Sequence, residues 1–71
     1  METVIRAVLK ELADAQLHHP QFNSRHEAYA VILEELDECW DEIKSNNSKR
    51  AYEEMIQVAA MALRYLDEFR G

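Results

Sequence analysis

Residues 55–63 contain a single polar side chain, Gln57. The whole chain has one glycine and one proline, so nothing brackets this run with the turn residues that a strand needs. Good helix formers continue on both sides of it. The pattern predicts a helix over 49–69, with Gly71 as its natural end. Tyr52, Ile56, Ala59, Ala60, Leu63 and Leu66 form one core face. Met55, Val58, Met61 and Ala62 spread apolar character over most of the remaining circumference. A helix that is apolar nearly all round is buried nearly all round. A chain of 71 residues has little else to bury it with, because small domains remove only about 60% of their unfolded surface from water. The expectation is a core completed by a second copy through symmetry.

Two further helices precede it. Over 3–17, Ile5, Val8, Leu9, Leu12 and Gln16 follow the spacing of one helical face, apolar until its last member. His18, His19 and Pro20 end this segment, since proline disfavours helix in the residue before it. The second helix runs over 24–44. Ser24 stands three residues before Glu27, the spacing of a capping box. Ala28, Tyr29, Ile32, Leu33, Leu36, Cys39, Trp40 and Ile43 make its apolar arc. Tyr29, Cys39 and Trp40 are read as core. Residues 45–48, Ser-Asn-Asn-Ser, are the only polar, low-propensity cluster inside the chain and read as a short loop. The expected fold is all-α: one domain over 1–71, an antiparallel bundle of three helices per chain completed by homo-oligomerisation, as a dimer or tetramer.

Charge narrows the function. Fourteen acids against eight bases give a net charge of −6. That disfavours nucleic acid or an anionic membrane as partner and leaves divalent cations, or a nucleotide carried by one. No run of about 18 apolar residues is present, so no membrane span is expected. With one cysteine, no disulfide can form within the chain. The lone thiol, and an opening Met1-Glu2-Thr3 without a basic-then-apolar segment, lead to the expectation of a cytoplasmic setting.

The acids of the second helix are of two kinds. Glu34, Asp37 and Asp41 point to the wet side. Glu35 and Glu38, three residues apart, flank the apolar arc on neighbouring turns. Such a pair can hold one hard divalent cation in common, and a metal removes the repulsion between its members. Glu54 and Gln57 open the third helix at the same spacing. Counted from the loop, Glu38 and Glu54 stand at similar height on a helical hairpin. The plainer alternative is a solvated acidic face, because Glu is a good helix former and aids solubility.

The motif Glu34-Glu35-Leu36-Asp37-Glu38, followed by Glu54-Met55-Ile56-Gln57, resembles the EExxE and ExxD pair of the MazG-like all-α nucleoside triphosphate pyrophosphohydrolases. The stretches from His26 to Glu35 and from Gln57 to Ala62 are similar to small, phage-type members. The resemblance covers roughly residues 24–68. It implies Mg²⁺-dependent hydrolysis of nucleoside triphosphates, dNTPs or non-standard ones, to monophosphate and pyrophosphate, with Mn²⁺ as a substitute ion. It implies Glu35, Glu38, Glu54 and Gln57 as metal ligands and Glu34, Glu35 and Glu38 as the catalytic carboxylates. Lys49, Arg50 and His26 would contact substrate; Arg64 is a further cation for the phosphates. Gln57 stands where the family usually has Asp. It offers a carbonyl oxygen but no charge, so weaker cation binding is expected. Two alternatives follow: a non-catalytic nucleotide- or metal-binding module of the same fold, and an acidic helical protein that occupies a basic partner.

Overall fold

Capping chemistry sets the limits of three helices. The computed structural model describes all 71 residues, Met1–Gly71. It contains α1 (Glu2–His18), α2 (Arg25–Lys44) and α3 (Ser48–Glu68), and no strand. α1 stops where His19 turns extended, φ −129° and ψ 144°, immediately before Pro20. α2 starts where the Ser24 hydroxyl accepts from the Glu27 N–H at 3.1 Å, while the Glu27 carboxylate accepts from the Asn23 N–H at 2.9 Å. Ser24→Ala should lower stability by about 1 kcal/mol. A matching drop in the urea midpoint at unchanged slope checks this.

The loop is shorter than the sequence suggests. Asn47 caps α3 by accepting from the Arg50 N–H at 3.2 Å, so Ser48 is already helical. Asn46 adopts φ 59°, a left-handed conformation that asparagine tolerates and a β-branched residue does not.

α1 and α2 both pack on α3 and make no helix–helix contact with each other. α3 is therefore the central helix, which accounts for part of its apolar circumference. The core is Val8 from α1, Phe22 from the connector, Ala28 from α2, and Ala60 and Met61 from α3; Leu12, Ile32 and Ile56 pack against it. Cys39 is buried as expected, with its thiol toward the Ala51 carbonyl oxygen at 3.5 Å.

The connector between α1 and α2 is held by one buried cation. Arg64 donates to the Pro20 carbonyl oxygen and to Glu68 Oε2, the latter at 2.9 Å. Its guanidinium carbon lies 3.9 Å from the centroid of the Phe22 ring. The other Glu68 oxygen accepts from the Phe22 N–H at 2.9 Å. Both partners of the ion pair have side chains only 6% exposed. Arg64 is thus committed to the fold, and the sequence-based assignment of it to phosphate contacts is corrected. At the same end of α3, Gln16 donates to Asp67 at 3.0 Å. The α1 stripe turns polar at Gln16 because it meets a carboxylate there. This bond, followed by the one from Arg70, holds the Asp67 carboxyl below its ordinary pKa.

Several residues expected in the core are not buried within one chain. Trp40 is 55% exposed and Tyr29 67%. On α3, Tyr52 and Leu66 are 56% and 64% exposed. Ile5 and Leu9 of the expected α1 face are half-exposed. Only seven of the 71 residues are buried. Helical periodicity locates an apolar face correctly, but it does not say whether the chain's own neighbours cover it.

Candidate metal centre

Three carboxylates meet where α2 passes α3. Glu35 and Glu38 project from successive turns of α2, and Glu54 comes from the second turn of α3. One oxygen from each lies within 4.8 Å of the others. The geometry arises from the short loop, which brings Glu42 within 3.8 Å of Arg50 and Cys39 onto Ala51. One further turn along each helix brings Glu35 and Glu38 to Glu54.

Burial makes the cluster costly. Glu35 and Glu54 are half-buried, and the Oε2 atom of each is fully buried with no hydrogen-bond partner. Burial raises the Glu35 pKa to about 7, with help from a hydrogen bond to Glu54 and from the charges of Glu38, Glu54 and Glu34. Two ionised carboxylates have no proton to share, so both oxygens are orphaned when both are charged. A proton on Glu35 supplies the donor for that bond. Glu38 is exposed and is also pushed up, first by desolvation and then by the Glu54 and Glu34 charges.

A divalent cation resolves the same conflict without the proton. Magnesium and manganese prefer carboxylate oxygens, and opposite ligands of one hard cation stand ~4–5 Å apart. One oxygen from each carboxylate is at a separation that fits such an ion, and the buried Oε2 atoms of Glu35 and Glu54 have no other partner. Glu34 is exposed but close enough for its charge to act on both neighbours.

Gln57 lines a cleft of about 580 Å³ together with Glu35. The cleft lies over α3, between α1 and α2. Its α1 wall carries Glu11, Asp14 and His18, and its floor carries Met61 and Arg64. Of these α1 side chains, Glu11 and Asp14 were not singled out from the sequence, where His18 figured only at the helix end. Glu11 and Asp14 occur on the helix with no motif around them, and only the packing of α1 on α3 brings them opposite Glu35. Lys49, Arg50 and His26 are exposed and stand outside this cleft. Arg50 faces Glu42, and Lys49 makes no ion pair. Comparisons with protein-family models, with curated proteins and with solved structures find no match.

Proposed function

We propose that this protein is a divalent-cation-dependent nucleoside triphosphate pyrophosphohydrolase, releasing monophosphate and pyrophosphate. The observation that carries the reading is the convergence of Glu35, Glu38 and Glu54, two of them with buried unpartnered oxygens. The resemblance of Glu34-Glu35-Leu36-Asp37-Glu38 and of Glu54 to the MazG-like motifs supplies the reaction. The same reading includes antiparallel helices and a homo-oligomeric state.

Glu35, Glu38 and Glu54 would hold Mg²⁺ or Mn²⁺, with Gln57 able to offer a neutral oxygen from the edge of the cleft. A bound cation would supply charge neutralisation at the phosphate oxygens and activation of a water. Glu34, on the wet side of α2, would orient the attacking water. The cleft beside Glu35 receives the nucleoside. Lys49 and Arg50, in the first turn of α3, would contact the outer phosphates in this scheme; His26 lies about 24 Å along α2 from the Glu42 that faces Arg50, too far to share them.

A second reading has a specific motive. Gln57 brings no charge, and the one Arg or Lys lining the cleft, Arg64, is occupied by Glu68 and Pro20. A module that binds a cation-carried nucleotide without turnover fits those two facts. Incubation of each NTP and dNTP with Mg²⁺ or Mn²⁺, read for pyrophosphate, separates the readings. Release abolished by Glu38→Gln establishes the enzyme. Binding without release, gained as turnover in Gln57→Asp, establishes the module.

A further inference from the structure

We infer that the α1 wall of the cleft selects the base of the nucleotide: Glu11 and Asp14 accept from the exocyclic amino group of cytosine or adenine, and the wall rejects uracil and thymine. The inference rests on the hydrolase reading for the place of the phosphates and adds the part of the substrate that α1 meets. Glu11 and Asp14 are three residues apart, so their carboxylates stand on one helical face, on neighbouring turns. Both line the cleft and both are half-buried. Glu11 has no side-chain partner in the chain, and Asp14 meets the exposed Lys10 through Oδ2 alone, at 3.2 Å, leaving Oδ1 open. His18, the third polar side chain of this wall, has Nδ1 2.9 Å from the Asp14 carbonyl oxygen. In a neutral ring that nitrogen carries the proton, so Nε2 is an acceptor as well.

The donors around the cleft are committed elsewhere. Arg64 gives its N–H groups to Glu68, to the Pro20 carbonyl oxygen and to the Met61 sulfur. The Asn23 amide donates to Glu27 at 3.0 Å. Gln57 is assigned to the cation, and His19 and Gln21 are exposed on the connector. An ionised carboxylate can only accept, so a ligand edge that meets the α1 wall must donate. The amino group of cytosine or adenine carries two N–H bonds, one for each carboxylate, and carboxylates accept from the cytosine amino group in base recognition. Uracil and thymine turn a carbonyl oxygen toward the same two negative charges, which leaves all three acceptors without a hydrogen. Volume permits the pairing. The cleft of about 580 Å³ has room for a base, and Ala15, Val31 and Met61 give it apolar contact.

Pyrophosphate release from dCTP and from dUTP, with Mg²⁺ and the full chain, tests the inference, because these bases differ only along the edge in question. kcat/KM for dCTP should exceed that for dUTP about tenfold or more. Glu11→Gln keeps the shape of the side chain and adds an amide donor. It should raise KM for dCTP, admit dUTP and so lower the ratio; Asp14→Asn should act in the same direction. Calorimetric titration of dCMP and dUMP with Mg²⁺ into the same chains reads the preference without turnover. Tighter binding of dCMP with no pyrophosphate from either triphosphate removes the hydrolase and keeps the inference. Equal or better use of the uracil nucleotide, in turnover or in binding, overturns the inference and leaves any hydrolase activity standing. So does a ratio that neither substitution moves. No pyrophosphate and no binding of either monophosphate overturns both.

Discussion

Arg64→Ala is expected to remove about half of the stability of the fold. The substitution leaves Glu68 charged and buried, frees the Pro20 carbonyl, and strips the cover from the Phe22 ring. Deleting one member of a buried ion pair typically costs 3–5 kcal/mol. A domain of this length has roughly 4–10 kcal/mol in total. Urea unfolding followed by circular dichroism reads the loss. The paired change Arg64→Met with Glu68→Leu should cost less than the sum of the two single changes, because no charge is then left unpartnered. A value for Arg64→Ala within about 0.5 kcal/mol of wild type, the range of ordinary surface substitutions, would mean the pair does not anchor the connector.

The acidic cluster should make stability depend on pH in the opposite sense from an ordinary carboxylate. Glu35 has its folded-state pKa raised from 4.5 to about 7. Between those values the folded chain binds more protons at Glu35 than the unfolded chain does. Stability is therefore highest below about pH 5 as far as this group is concerned, and it declines as pH rises through 7. After discounting for partial exposure, the loss is about 1–2 kcal/mol, or roughly 4–15 °C in melting temperature for a domain of this size. Glu35→Gln should flatten the profile and raise stability at pH 8 in the absence of divalent ions. Added Mg²⁺ should reverse the trend, because the cation needs the deprotonated cluster and competes with the proton. Melting curves at pH 5.5 and 8, with chelator and with Mg²⁺, contain the whole comparison. A wild-type profile that is unchanged by both the ion and Glu35→Gln would remove the cluster from the account.

Much of the fold was legible because its signals are local. Pro20 stops α1, Ser24 and Glu27 start α2, and the Ser-Asn-Asn-Ser cluster breaks α2 from α3 within one residue of the observed limit. The convergence of Glu35 and Glu38 with Glu54 was legible for a related reason. A short loop fixes the register of the two helices, so equal counting from the turn brings those positions level. Tertiary partnership was less legible. Tyr29 and Trp40 lie on the apolar arc, yet α1 packs on α3 and not over them, so they remain open within one chain. Arg64 looked like a free cation in sequence. Glu68 stands four residues on, an ordinary helical ion-pair spacing, but the connector partners at Pro20 and Phe22 lie more than forty residues earlier in the chain, and no local pattern indicates them. Glu11 and Asp14 were missed for the same reason: their place beside Glu35 depends wholly on where α1 docks.

The central claim is that Glu35, Glu38 and Glu54 bind one divalent cation together. Calorimetric titration of Mn²⁺ into the wild-type chain at pH 7.5, beside Glu35→Gln, Glu54→Gln and the outlying Glu2→Gln, tests it most directly. The account predicts one Mn²⁺ per chain, affinity lowered at least tenfold by either cluster substitution, and no change for Glu2→Gln. Equal, weak and non-stoichiometric uptake by all four proteins would contradict it.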